Sequence, residues 1–260
     1  MNDWLPDTDY YRYHAKRFRH SFASLPSLHG FKSVLCVGSW GDEAPYLRHL
    51  GAEQVTCIRA PAPNLPSFET TNRARPDGQG KCQVSLYAFD VETDDWPNTL
   101  TGFDLVLLWE VLEHLKDSPT RMLYQAIRAT RIGGTLSLTT PNALWHVYTN
   151  AQISGGNALG LKIQNHIPFA THWRLWSPAE VSECFEKMGC ASTPTSFLDE
   201  GPYPRLTSRI AVSVLHWLRK GSGNGLCSTG RHVHVLAQKH SEPQMEYRPA
   251  WLYPTTEGES

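Results

Sequence analysis

Short apolar runs alternate with amphipathic stretches along the chain, the arrangement of a mostly parallel sheet flanked by helices. Runs at 33–38, 54–58, 82–89 and 103–109 have the length of strands. The last contains Leu105-Val106-Leu107-Leu108, apolar on both faces, as a parallel strand covered on each side requires. After the first strand, 42–50 reads as a helix with Asp42 as N-cap, Pro45 in the tolerant first turn and Gly51 as its stop. Residues 60–81 hold Pro61, Pro63, Pro66, Pro76, Gly78 and Gly80, so a regular second helix there is short or absent.

Ser118-Pro119 opens the next helix with an N-cap serine and an N1 proline, and Met122, Leu123, Ala126 and Ile127 form its apolar face. Gly133-Gly134 then turns into a strand at 135–140. Ser177-Pro178-Ala179-Glu180 is a capping box, followed by Val181, Cys184, Phe185 and Met188 at helical spacing and Gly189 as the stop. A further stripe, Leu206, Ile210, Val214 and Trp217, is read as packing on the sheet rather than on a membrane surface. Strict alternation over 232–238 suits a final antiparallel strand, and the residues after Lys239 read as a peripheral wrap or a partly disordered tail.

Net charge is −1, so no overall basic field argues for nucleic acid. The basic, aromatic cluster from Tyr10 to His20 reads as a solvated helix face packed through its aromatics. Six cysteines include no C-x-x-C pair, and Cys36, Cys57 and Cys184 fall at core positions, which favours a reducing compartment. No basic-then-apolar leader and no apolar run near the roughly 20 residues of a membrane span are present, so a cytoplasmic location is expected. His146, His166 and His172 lack metal-ligand spacing, and no metal site is expected from them.

Two segments carry candidate chemistry. In Val34-Leu35-Cys36-Val37-Gly38-Ser39-Trp40-Gly41-Asp42, a strand feeds a glycine turn into a helix, and such a turn lets backbone N–H groups approach a ligand closely. Trp109-Glu110-Val111-Leu112-Glu113-His114 places acidic and imidazole groups beyond a strand's carboxyl end, where open α/β sheets bind ligands.

The order of parts resembles the class I S-adenosylmethionine-dependent methyltransferases over about 30–240, most specifically at Glu110-Val111-Leu112-Glu113-His114 and His172-Trp173-Arg174-Leu175-Trp176-Ser177-Pro178-Ala179-Glu180. Ile132-Gly133-Gly134 through Pro141-Asn142 is also similar to the family's glycine strand. The Gly155-Gly156-Asn157 loop and the strand from Gly230 are similar to members acting in bacterial surface-polysaccharide biosynthesis. The resemblance implies a Rossmann-like fold with a mostly parallel seven-stranded sheet and an antiparallel last strand. It implies an N-terminal helical cap at 1–29, a methyltransferase-like domain at 30–240 with a substrate lid at about 142–176, and a C-terminal tail at 241–260.

The same resemblance implies S-adenosylmethionine as cofactor, held by Gly38, Ser39, Trp40, Gly41, Arg59, Asp90, Val91, Trp109 and Glu110. His114 and His172 would be the catalytic bases for methyl transfer to a hydroxyl of a sugar, glycan or other small molecule. Trp145, Trp173 and Trp176 are candidates to stack on a sugar face, although residues of this kind more often simply pack the lid. A glycosyltransferase partner or a homo-oligomer fits such a role. The chain departs from the family pattern at Cys36, Asp42 and Arg59; at Arg59 the family's ribose-binding carboxylate is replaced by a group with no acceptor. These departures keep a catalytically inactive, methyltransferase-like scaffold as the alternative. An NADP-type phosphate site at Arg59 would leave Glu110 to His114 unexplained.

Overall fold

The computed structural model describes residues 9–26, 30–38, 50–64, 66–75, 80–143, 172–198 and 232–253. Its strands are β1 Ser33–Val37, β2 Gln54–Arg59, β3 Phe68–Ala74, β4 Lys81–Ala88, β5 Phe103–Trp109, β6 Thr130–Pro141, β7 Cys190–Leu198 and β8 His232–Lys239. The α-helices among the described residues are α1 Asp9–Ala23, α2 Pro119–Ala129 and α3 Pro178–Lys187. All strands join one sheet in the order β3-β4-β2-β1-β5-β6-β8-β7. Strands β4, β2, β1, β5 and β6 are parallel, whereas β8 is antiparallel to both β6 and β7.

Strand direction and order fix where a ligand can sit. The chain runs outward from β1 to β2 and β4, then returns to build β5 and β6 on the other side of β1. The carboxyl ends of β1 and β5 therefore flank the point where strand order reverses, the crevice used by open α/β sheets.

Alternation along β1 and β5 separates two apolar layers. Val34, Cys36, Leu105 and Leu107 pack in one cluster with Phe18 and Phe22 of α1. Leu35, Val37, Val106 and Leu108 face the other side, in a cluster with Met122 and Ile127 of α2 and Val181 and Phe185 of α3. Thus α1 covers one face of the sheet, and the basic cluster at its end of the chain packs through Phe18, Phe22 and the buried Arg17.

The sheet has eight strands rather than the seven expected. The additional one, β3, lies within the Pro- and Gly-rich stretch where a regular helix was expected to be short or absent, and it pairs antiparallel with β4 at the edge of the described sheet. Its cross-strand contacts are aromatic and hydroxyl pairs: the Phe68 and Tyr87 rings lie 4.7 Å apart, and the Thr70 and Ser85 hydroxyls 3.2 Å apart. Helix α2 begins at Pro119 as expected, but the Ser118 side chain makes no capping bond. Instead the Glu92 carboxylate collects the N–H groups of Lys116, Asp117 and Ser118 at 2.7–3.0 Å. The capping box of α3 is complete, with Ser177 and Glu180 exchanging both bonds.

Beyond Lys239 the chain packs back on the helices. Thr120 of α2 lies 2.7 Å from the Tyr253 hydroxyl, and Tyr247 and Trp251 both donate to Glu183 of α3. Among the described residues no helix is long and apolar enough to cross a membrane. The helix expected at 42–50, the Gly155-Gly156-Asn157 loop, Trp145 and the Leu206 stripe lie outside the described residues, as does most of the expected lid.

Candidate functional site

Gly38 ends β1 with φ +79°, a backbone conformation that L side chains rarely adopt. A Cβ there would also collide with the Val111 side chain, so the β1 end is built around a glycine lying against the turn that follows β5. The remaining turn residues, Ser39, Trp40 and Gly41, lie outside the described residues. At the end of β2, Arg59 donates to the Pro66 carbonyl at 3.4 Å, while its buried Nε has no partner. This corner therefore presents donors where the resembled family has an acceptor.

Asp90 follows β4, and its Oδ1 accepts from the backbone N–H groups of Glu92 (2.8 Å) and Thr93 (3.4 Å). It caps a turn, with its side chain exposed. Val91 packs against the core on the α2 and α3 side, and its carbonyl accepts from Trp96. Trp109 closes β5 with its ring edge-on to Phe22 at 4.9 Å and its Nε1 donating to Ser137 at 2.9 Å. That ring belongs to the α1-facing core.

Glu110 is the pivot of the strand end. Its φ of +56° is the only positive value at a non-glycine residue among those described, a strain of roughly 1–3 kcal/mol that surrounding contacts must hold in place. Arg17 of α1 donates to Oε2 at 3.2 Å, and His232 Nε2 at the start of β8 lies 3.3 Å from the same oxygen. Burial pushes the Glu110 carboxyl up, but Arg17 and then His232 outweigh it and hold it well below the ordinary glutamate range. Its other oxygen, Oε1, is buried without a hydrogen-bond partner and remains an acceptor for a cationic ligand group.

The 3-10 turn Leu112–His114 then carries Glu113 inward and His114 outward. Glu113 is fully buried; Thr140 of β6 donates to its Oε2 at 3.1 Å, and Oε1 has no hydrogen-bond partner. Burial, and next the Glu110 carboxylate, push the Glu113 carboxyl well above its ordinary 4.5.

His172 meets this turn because the segment before α3 is clamped to it. Trp173 N–H donates to the Glu113 carbonyl at 2.8 Å, and Ala143 N–H to the Trp176 carbonyl at 3.0 Å. The His114 and His172 rings consequently lie 4.9 Å apart, edge to face. The intervening motif is largely a mount: Arg174 pairs with Glu180 at 2.6 Å, and Ser177 starts α3. Trp176 cannot stack on a substrate, since it is fully buried against Trp251 with the Arg174 guanidinium over its ring. Trp173 remains half exposed, its ring under the Lys116 ammonium.

Of the sequence candidates, the structure brings Gly38, Glu110, His114 and His172 to the β1 and β5 strand ends; Glu113 was read only as part of the motif, and Arg17, Thr140 and His232 were not singled out. Arg17 sits in the cluster read as a solvated helix face, and His232 was counted only as part of an alternating strand. Nothing local marks either as a partner of a residue far along the chain.

The fold is shared with solved methyltransferases. Structural neighbours include the complex between a methyltransferase activator and a methyltransferase from Haloferax volcanii (16% identity, covering 89% of this chain and 92% of that one, TM-score 0.53). Another is an S-adenosylmethionine-dependent methyltransferase from Thermotoga maritima described as a histamine N-methyltransferase candidate (13% identity, 88% and 92% covered, TM-score 0.52). A third is an S-adenosylmethionine-dependent methyltransferase from Mesorhizobium loti (14% identity, 87% and 98% covered, TM-score 0.50). No curated protein matches the chain by sequence. A family model described as a methyltransferase domain matches residues 14–194, a span that takes in the later part of α1, the β1 and β5 strand ends and both site histidines, and on that match the chain belongs to the methyltransferase domain family.

Proposed function

We propose that the protein transfers a methyl group from S-adenosylmethionine, its expected cofactor, to an oxygen of a sugar, glycan or other small-molecule acceptor. The observation that carries this reading is the β1–β5 strand end. There an obligatory glycine at Gly38 lies against the turn that carries an unpartnered carboxylate oxygen of Glu110. The glycine fits close approach of the methionyl part, and the carboxylate fits its ammonium group. The bound cofactor supplies the activated methyl.

The chain's own tasks are to orient the acceptor oxygen in line, exclude water and draw off the acceptor's proton. His114 and His172, half-buried and in ring contact, are the groups proposed to draw that proton. The hydroxyl acceptor and a glycosyltransferase partner are parts of this proposal.

The second reading, a scaffold without catalysis, is supported by Arg59. With no acceptor at the β2 end, the ribose hydroxyls lose a contact of about 1–3 kcal/mol, some ten- to a hundredfold in affinity. Transfer of labelled methyl from S-adenosylmethionine to a panel of saccharides and small hydroxyl acceptors separates the two. On a responsive acceptor, His114→Ala and His172→Ala are expected to lose about 10²–10⁴-fold in turnover with cofactor affinity unchanged. Full turnover in both variants would remove the histidines from the chemistry. Cofactor binding without transfer to any acceptor would favour the scaffold.

A further inference from the structure

We propose that Glu113, His114 and His172 form a binding site for a first-row divalent transition ion. One carboxylate oxygen and one ring nitrogen from each histidine already lie within 4.8 Å of one another. Ligand bonds of about 2.0–2.2 Å would bring these atoms to roughly 3.4 Å apart. Rotation of two half-buried imidazoles supplies that closure while the backbone stays in place.

Two separate constraints hold the backbone. Glu113 and His114 share the turn after β5, and the Trp173 N–H bond to the Glu113 carbonyl fixes the residue next to His172.

An independent observation points to the ligand. Glu113 Oε1 is a buried carboxyl oxygen without a hydrogen-bond partner, in a side chain about 1% exposed. His114 Nε2 stands 3.9 Å from it, too far for a hydrogen bond. A buried acceptor left this way costs about 1–3 kcal/mol, and an ion between the three groups would satisfy it. Thr140 donates to the other oxygen, Oε2, the kind of supporting bond that orients a ligating carboxylate and leaves its partner oxygen for the metal.

The donor set selects the ion. Two imidazoles and one carboxylate suit zinc, iron(II), cobalt(II) or manganese(II), whereas calcium and magnesium prefer an all-oxygen shell. Three protein ligands leave at least one position open. An acceptor hydroxyl bound there would be acidified by the ion and would release its proton to solvent water, and the two histidines would then hold the ion in place of taking that proton themselves. That use rests on the proposed methyl transfer to oxygen; the binding of the ion does not.

The sequence hid this set because its ligands are not spaced as a local motif. His172 is distant in the chain from Glu113 and His114, and the clamp of the segment before α3 onto the β5 turn is what unites them.

The test uses the full chain, stripped of metal by a chelator and titrated with cobalt(II), then with zinc(II). The expected result is one equivalent of cobalt(II) giving visible absorption bands, displaced by zinc(II), with a rise in melting temperature. Glu113→Gln and His172→Asn should each weaken zinc(II) binding at least tenfold, while His240→Asn on the exposed surface leaves it unchanged. His172→Asn lies at a half-exposed position, so the test survives if the Glu113 variant fails to fold. Absence of binding at about 1 mM metal, weaker than some 4 kcal/mol, would overturn the proposal. So would zinc(II) binding that persists undiminished in the folded His172 variant. Calorimetry with S-adenosylmethionine on the same samples separates the two proposals: metal binding without cofactor binding retains the ion site alone, and cofactor binding without metal binding retains only the methyltransferase reading.

Discussion

Glu110 and Glu113 sit three residues apart at the end of one strand, both within the protein, yet they are held in opposite states. Burial pushes both carboxyls up, so burial cannot be the difference. Helix α1 and strand β8 bring Arg17 and His232 onto Glu110, whereas Glu113 Oε2 accepts from a neutral side chain, Thr140. Once Glu110 is ionised, its charge pushes Glu113 further up. One turn thus carries two carboxyls pushed in opposite directions, Glu110 toward its ionised form and Glu113 toward its protonated one, a separation typical of functional sites. The division is made by elements distant in sequence, so α1 is part of the site's electrostatics and not just a cover for the sheet.

The comparison breaks most severely if Arg17 is removed. Arg17→Ala leaves the Glu110 carboxylate, among the described residues, with His232 as its remaining ion-pair partner and should cost about 3–5 kcal/mol, read from denaturant unfolding. Replacing both members, Arg17→Met with Glu110→Leu, should recover most of that loss, because the desolvation penalty disappears with the charges. A cost below about 1 kcal/mol for Arg17→Ala would mean the pair is solvated and the contrast between the two carboxyls is small.

A gentler test separates the two residues by pH. The folded value of Glu110 lies below the ordinary 4.5, so its contribution to stability is present above that pH and is lost as pH falls below it. Glu113 has a folded value above 4.5; there the folded state holds a proton the unfolded state has released, and stability declines as pH rises through that window. Melting curves from acid to neutral pH should show Glu110→Gln flattening the acid limb and Glu113→Gln flattening the decline above it. The same limb flattening in both variants would contradict the assignment.

Much of the fold was legible because it depends on local pattern. The apolar run of β5, the capping box at Ser177 and the buried Cys36, Cys57 and Cys184 all follow from residue type and spacing. Strand β3 was not legible, since an exposed edge strand reading Phe-Glu-Thr-Thr-Asn-Arg-Ala lacks an apolar face and lies among prolines and glycines. Ser118 stands at the N-cap as expected but makes no side-chain capping bond, and the Glu92 carboxylate, remote in sequence, takes the N–H groups of the loop before the helix, which no local pattern announces.

Trp176 shows the same limit. The sequence left it between stacking on a sugar and packing, and packing is what the fold makes of it: Arg174 and Trp251 enclose it, and Trp251 comes from the tail. In the site itself, glycine and histidine positions were readable, whereas the charge states of Glu110 and Glu113 depend on Arg17, His232 and Thr140, which only the fold brings together.

The central claim is that the carboxyl ends of β1 and β5 hold S-adenosylmethionine, and calorimetric titration of the intact chain tests it most directly. Saturable, equimolar heat is expected and, at a hundred times the dissociation constant, a stabilisation of about 2.7 kcal/mol. Gly38→Val should lose the heat, because its side chain would occupy the space against Val111. No heat and no thermal shift at millimolar cofactor, or undiminished binding in a folded Gly38→Val variant, would contradict it.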